Sequence, residues 1–173
     1  HIINSYDKMK MNIREENELD LNQISEIHNQ AFNGSEEAKI VENLRKNKNL
    51  TISLVCEIDR KVVGHIVYSP IYFEDKIIGI GLAPVAVLPS FQKQGIGSRL
   101  IENGNRVAFS KGFQKILVLG DPAYYARFGF QNAKKYNYFS KFDPEGKHFM
   151  ILEKDVEYMP EKIDIEYCKE FDV

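Results

Sequence analysis

No run of apolar residues in this 173-residue chain approaches the ~20 that a membrane-crossing helix requires, so no membrane partner is expected. Cysteine is scarce. Cys56 and Cys168 are the only two, they lie far apart, and they lack metal-ligand spacing. That excludes a disulfide framework and a cysteine-based metal centre, and it suits a reducing, cytoplasmic compartment. Neither sign of charge dominates: 23 basic against 25 acidic residues give a net charge of −2. With no basic patch, nucleic acid is not an expected partner. Residues 1–10 lack the apolar stretch of a signal peptide. Met9 or Met11 is a candidate initiator, which makes residues 1–10 an N-terminal extension, native or added. Repeats, low-complexity segments and linkers are also missing. What is present, 43% apolar and 28% charged residues, suffices for one domain with a sizeable core. That domain is expected over 11–155, with a tail, 156–173, packed on it.

The chain is clearly punctuated. Asp20 reads as the N-cap of an amphipathic helix from Leu21 to about Phe32, with Ile24, Ile27, His28 and Ala31 on one stripe. Asn33-Gly34 breaks it, and Ser35 reads as the cap of a second helix running to about Lys46. Strands follow over Thr51–Asp59, Lys61 to about Phe73, and Ile77–Val87, joined by tight turns at Asp59-Arg60-Lys61 and Glu74-Asp75-Lys76. A helix is expected from Arg99 to about Lys111, closed by Gly112, then a short apolar strand at Ile116–Leu119. Asp121 as N-cap with Pro122 behind it announces a brief helix ended by Gly129, and Phe149–Glu153 reads as a last strand. This order predicts an antiparallel meander followed by a β-α-β crossover that makes late strands locally parallel. Pro84 falls inside a strand, where a missing N–H marks a bulge, an end to pairing, or an edge strand.

The segment Val85-Ala86-Val87-Leu88-Pro89-Ser90-Phe91-Gln92-Lys93-Gln94-Gly95-Ile96-Gly97-Ser98 carries the most information. A β-branched run stops at a proline, crosses a short polar loop and meets two glycines just before a helix. The first N–H groups of a helix lack intrahelical partners, its dipole is positive there, and glycine lets an anion approach the backbone. Lys93 adds a mobile positive charge. A phosphate cradle follows, and the pattern narrows its type. A dinucleotide fingerprint needs a third glycine where Leu100 stands, and a P-loop needs a Gly-Lys-Ser/Thr that Gly95 onward does not supply.

Gln92-x-x-Gly95-x-Gly97 after a strand ending Ala86-Val87-Leu88-Pro89 resembles the acyl-CoA-binding motif of the GNAT superfamily of N-acetyltransferases. The stretch Asp121-Pro122-Ala123-Tyr124-Tyr125-Ala126-Arg127-Phe128-Gly129-Phe130 is similar to that superfamily's second signature, a tyrosine four residues before a Gly-Phe pair. Leu82-Ala83-Pro84-Val85-Ala86-Val87 and Leu119-Gly120-Asp121-Pro122-Ala123-Tyr124-Tyr125 resemble a bacterial branch of predicted N-acetyltransferases. The resemblance runs from about Asn12 to Glu153. It implies a GNAT-like α/β fold: a mixed, mostly antiparallel sheet with a central splay and helices on both faces. It also implies acetyl-CoA as acyl donor, with Val85, Ala86, Val87, Gln92, Lys93, Gln94, Gly95, Ile96, Gly97 and Ser98 holding it. The splay fits Pro84, and backbone groups around Val85 and Val87 would hydrogen-bond the cofactor's amides.

Acetyl transfer to an amine needs an uncharged amine, a polarised carbonyl and a proton for the departing thiolate. A backbone N–H between Val85 and Val87 is the expected polarising group. Tyr125 stands where the family places its general acid, and a phenol of pKa ~10 stays protonated at neutral pH. Tyr124 points about 100° away from it on the same helix and is expected in the wall. The base is poorly marked. The strand Ile77–Val87 holds no carboxylate, although many superfamily members place a Glu there. His65 is the named candidate, with a hydrogen-bonded core histidine as its other reading; Glu57, Glu36 and Glu37 are weaker, and His28 reads as core.

The acceptor is expected to be an amine on a small molecule, a peptide or a protein, bounded by the aromatic segment Gln131–His148 with its turn Asp143-Pro144-Glu145-Gly146. The acidic tail reads as an extra strand, a lid or a homodimer contact. Neither cysteine nor serine is placed for a covalent acyl intermediate, so transfer is expected in a ternary complex. The other function class is a non-catalytic acyl-CoA sensor or partner-binding domain that keeps the cradle. No metal is expected.

Overall fold

A computed structural model describes residues 10–173; of the expected N-terminal extension, residues 1–9 lie outside the described residues. The chain divides into two compact units. One comprises the residues up to Val67 with Pro84–Gly104, the other Tyr68–Ala83 with Asn105–Val173.

The first unit begins with a strand absent from the sequence reading, β1 (Met11–Glu15), which pairs antiparallel with β2 (Ile52–Ile58) from Met11↔Ile58 to Glu15↔Leu54. Helices α1 (Leu21–Phe32) and α2 (Glu36–Lys46) pack on each other. They bury Ile24, Ile27 and His28 from one and Ala38, Ile40, Val41 and Leu44 from the other. Helix α1 ends in a left-handed Asn33, φ 53°, whose N–H returns to the Asn29 carbonyl. Neither expected cap acts as one. Ser35 makes no side-chain cap bond. Asp20, 3% exposed, is instead held by Arg14, whose two terminal nitrogens lie 2.8 and 2.9 Å from its oxygens, and by the Asn17 N–H at 2.8 Å. A bidentate guanidinium outcompetes a helix N–H for the carboxylate.

Strand β3 (Lys61–Phe73) follows a two-residue turn with positive φ at Asp59 and Arg60, and β4 (Lys76–Val87) follows a second such turn at Glu74 and Asp75. Both are the right-twisted turns that tight hairpins favour. The main sheet has the order β1-β2-β3-β4, then β5 (Ile116–Leu119), β8 (Phe149–Leu152) and β6 (Gln131–Asn132). β4 therefore lies inside the sheet where it pairs with β5, three residues before Pro84.

Two observations bear on that proline. The hairpin turn starts the β3–β4 ladder at Phe73 and Lys76, and the Leu88 N–H donates to the Val63 carbonyl at 2.8 Å near its far end. β4 thus uses more residues than β3 to cover the same ladder, the count of a β-bulge. On its other side β4 pairs parallel with β5 through Ile80↔Ile116 and Gly81↔Leu117. Pairing stops there, although both strands continue. Helix α3 (Ile96–Ser110) starts three residues earlier than expected, so Gly97 and Ser98 belong to its first turn. It closes at Gly112, φ 96°, with the Phe113 N–H reaching back to the Ala108 carbonyl.

In the second unit β8 pairs antiparallel with both β5 and β6. Asp121 caps α4 (Pro122–Ala126) through the Ala123 N–H, with Pro122 in the first turn, as expected. A small parallel pair, β7 (Tyr138–Ser140) with β9 (Ile163–Ile165), brings the tail into a core of Ile71, Leu117, Phe149 and Ile151. Of the three readings of the tail, an extra strand is the one this pairing supplies. No helix among the described residues is long and apolar enough to cross a membrane.

Candidate active site

In the first unit, β4 delivers the chain to the glycine loop with a strict alternation: Pro84, Ala86 and Leu88 are buried while Val85 and Val87 are half-exposed. A 3-10 turn, Pro89–Phe91, follows. Lys93, Gln94 and Gly95 are exposed, with φ 63° at Lys93 and 83° at Gly95. Left-handed residues interleaved in a short loop turn successive N–H groups towards one side, the geometry of an anion nest. A Cβ at Gly95 would meet nothing within 4 Å, so this glycine answers to conformation and to open space beside it. The first helical bond of α3 runs from the Arg99 N–H to the Gly95 carbonyl at 3.1 Å. Ile96, 1% exposed, anchors the helix end. Gly64 sets how close that end comes: its Cβ would lie 3.0 Å from both Ile96 Cγ2 and Leu100 Cδ1. Nothing in the local pattern of β3 announces this role for Gly64.

Two expected ligand groups are already engaged. The Gln92 side-chain amide donates to the Val87 carbonyl at 3.0 Å, so Gln92 braces the strand end and takes one of that carbonyl's two lone pairs.

Tyr125 belongs to the second unit. It is 8% exposed and packs edge-on against Tyr124 and Phe130, with ring centroids 5.1 and 5.7 Å away. Its ring lies over Gly120, where a Cβ would collide with it, so Gly120 is a positioning residue that the motif reading passed over. Burial, with a smaller contribution from Tyr124, pushes the Tyr125 phenol up to about 12 and keeps it protonated. Tyr124 is half-buried under the Arg127 guanidinium, 5.2 Å from its ring centroid. Asp143 ties its turn together by accepting from the His148 and Phe149 N–H groups at 2.6 and 2.8 Å.

His65 is fully buried in the first unit, with both ring nitrogens bonded: Nδ1 to His28 Nε2 at 2.8 Å and Nε2 to Ser53 Oγ at 2.7 Å. It therefore presents no free nitrogen to an amine, and the core-histidine reading describes its surroundings. Glu16 lies 3.4 Å from His65 Nε2, accepts from the Ser53 hydroxyl, and pairs with Arg45 Nε at 2.8 Å. Burial raises the Glu16 carboxyl, but bonds from His65, Arg45 and Ser53 outweigh it and hold the group well below the carboxylate range. Desolvation pushes His28 down to about 3, helped by His65 and Arg45, and it also lowers His65. Glu57, a weaker base candidate, is paired with Arg14 at 3.2 Å. Glu36 and Glu37 sit in the first turn of α2.

The histidine pair makes the fold acid-labile in a defined window. Both groups have folded pKa values below their unfolded value of ~6.5, so the unfolded chain binds more protons beneath that pH. Their contribution is intact above ~6.5 and is lost progressively as pH falls. Unfolding free energies from urea titration should decline between pH ~6.5 and ~5.5, before carboxylate titration begins, by up to about 1.4 kcal/mol per pH unit for each histidine. A flat profile in that window would contradict the buried, neutral pair.

An internal strand with a bulge, feeding a positive-φ glycine loop at a helix N-terminus, defines a class of mixed α/β protein built to hold a phosphorylated ligand. Residues 21–130 match the model of the acetyltransferase (GNAT) family. The N-acetyltransferase YhbS of Escherichia coli K12 is 34% identical over 125 residues, 71% of this chain and 75% of that one. The crystal structure of E. coli YhbS in complex with CoA superposes with a TM-score of 0.86 at 27% identity, covering 95% of this chain and 93% of the other. A GNAT family acetyltransferase from Brucella melitensis, in complex with acetyl-CoA, gives 0.79 at 35% identity, covering 94% and 98%. The chain belongs to the GNAT family and is an acyltransferase by that membership.

Proposed function

We propose that this protein transfers an acetyl group from acetyl-CoA to a primary amine within a ternary complex. The carrying observation is the continuous device Val85–Ser98: a bulged strand, a left-handed loop and an open helix N-terminus. The residues present fit the donor. Lys93, Gln94, Gly95, Ile96, Gly97 and Ser98 would hold its pyrophosphate, and the backbone at Val85 and Ala86 its pantetheine arm. The complexes of YhbS with CoA and of the Brucella relative with acetyl-CoA support this reading.

Acetyl-CoA supplies an acyl group activated as a thioester. The β4 backbone N–H polarises the thioester carbonyl, and the half-exposed face of Val85 and Val87 excludes water beside it. Tyr125 keeps its proton at neutral pH and donates it to the departing sulfur. The amine nitrogen forms the new C–N bond, the C–S bond breaks, and the amine's proton leaves to solvent. His65 takes no part as a direct base, since neither ring nitrogen is free. The reaction needs no compartment other than the cytoplasm.

Acetyl-CoA at one hundred times its dissociation constant should stabilise the fold by about 2.7 kcal/mol, read as a rise in Tm. Gly97→Val should remove most of that rise by blocking backbone approach to the pyrophosphate. Stabilisation by NADH or ATP in place of CoA would overturn the reading. Free-thiol release against a panel of small amines, amino acids and peptides then tests transfer; stabilisation without release from any amine would mark a binding module.

A further inference from the structure

Three enclosed side-chain atoms among the described residues have no hydrogen-bond partner: His28 Nδ1, Asn29 Oδ1 and Ser69 Oγ. The first two stand on consecutive residues of α1. Donor and acceptor inventory settles what His28 Nδ1 is. The Ser53 hydroxyl donates its one proton to Glu16, so its oxygen accepts from His65 Nε2–H at 2.7 Å. A neutral His65 then carries its lone pair on Nδ1 and accepts from His28 Nε2–H at 2.8 Å. The remaining lone pair of a neutral His28 lies on Nδ1, bare. Arg45 balances the Glu16 charge through two bonds of 2.8 and 2.9 Å, so no net charge draws a proton onto the pair.

Resting on the acetyltransferase reading, we infer that His28 Nδ1 accepts an N–H of the acceptor amine, with Glu16, Ser53 and His65 as positioning residues that lock its tautomer. The chemistry of the site selects the ligand class. A neutral lone pair takes N–H donors and repels carbonyl or phosphate oxygens. The ammonium that a free amine is at neutral pH and its neutral form both carry an N–H to give. A primary amine that gives one N–H to His28 keeps its own lone pair free for the acyl carbon. The bond from Leu88 N–H to the Val63 carbonyl puts β3, which carries His65, alongside the end of β4 within the first unit. His28 is one hydrogen bond further on. Phe32, 41% exposed, stacks parallel on the His28 ring with centroids 6.0 Å apart. An entering amine displaces this cover.

The test uses ring-15N-labelled protein, with and without CoA, so that it does not depend on turnover. At neutral pH His28 should show Nδ1 unprotonated and Nε2 protonated, and n-butylamine should shift Nδ1. Tetramethylammonium, equally charged but without an N–H, should leave it unmoved. Glu16→Gln should convert His28 to a tautomer mixture, and His28→Gln, read through the His65 ring nitrogens that remain labelled, should weaken the butylamine response about tenfold, the scale of one hydrogen bond, with the acetyl-CoA rise in Tm intact. A proton on His28 Nδ1, or equal shifts from the two cations, would overturn the inference. Loss of the acetyl-CoA response in the unaltered protein strikes at the acetyltransferase reading instead, and the tautomer measurement stands apart from it.

Discussion

Tyr125→Phe should lower acetyl-CoA turnover by about 10²-fold while leaving acetyl-CoA stabilisation of the fold unchanged. The substitution deletes one hydroxyl and keeps the ring that packs on Phe130 and lies over Gly120. Stability should therefore hold. The phenol is pushed up to about 12 by burial, so at neutral pH the hydroxyl is a proton carrier and never a base. That direction also predicts the form of the pH profile: no loss of rate from Tyr125 ionisation anywhere below the enzyme's ordinary alkaline limit. Tyr124→Phe should cost little if that ring, half-buried beneath Arg127, only lines the wall. Free-thiol release measured for both variants on one amine separates the cases. Small and equal losses would assign the proton to solvent; a large loss for Tyr124→Phe alone would move the acid one residue upstream.

How much of this was legible beforehand divides by the range of the forces involved. The hairpin turns at Asp59-Arg60 and Glu74-Asp75, the αL stop at Asn33 and the cap at Asp121 are local chemistry, and the sequence announces all four. The start of α3 was misplaced because glycines at 95 and 97 read as loop, whereas only Gly95 needs a positive φ. Asp20 was misread for a tertiary reason. Its partner Arg14 comes from β1, a five-residue edge strand with one strongly apolar side chain, Ile13, and no alternation long enough to recognise. Strands β6, β7 and β9 span two or three residues each, below any detectable period, and the long-range pairs they form carry the tail into the core.

The candidate site divides the same way. The loop proposed to hold the phosphates is contiguous in sequence, so its spacing is legible there. The histidine network draws Glu16, His28, Arg45, Ser53 and His65 from five different elements or loops, and His28 and His65 are 37 residues apart. A lone histidine on an apolar helix stripe looks like core, and by burial it is; only the partner across the unit shows that its ring is oriented.

Glu16→Ala should be among the most destabilising single substitutions in the first unit. The carboxylate answers three donors at once: Arg45, the Ser53 hydroxyl and, at 3.4 Å, His65 Nε2. Removing it leaves a guanidinium and a hydroxyl without their acceptor beside a fully buried imidazole. Breaking one side of a buried pair costs about 3–5 kcal/mol. Arg45 keeps 24% of its side chain in solvent, so the lower end, about 3 kcal/mol, is expected. Against a total of about 5–15 kcal/mol that is a large fraction, visible as a lower urea midpoint at unchanged slope. Glu16→Gln should recover part of it, since its amide oxygen still accepts from Arg45. A loss under about 0.5 kcal/mol for Glu16→Ala, the scale of an ordinary surface substitution, would show that the Arg45–Glu16–Ser53–His65 chain is solvated and carries no structural load.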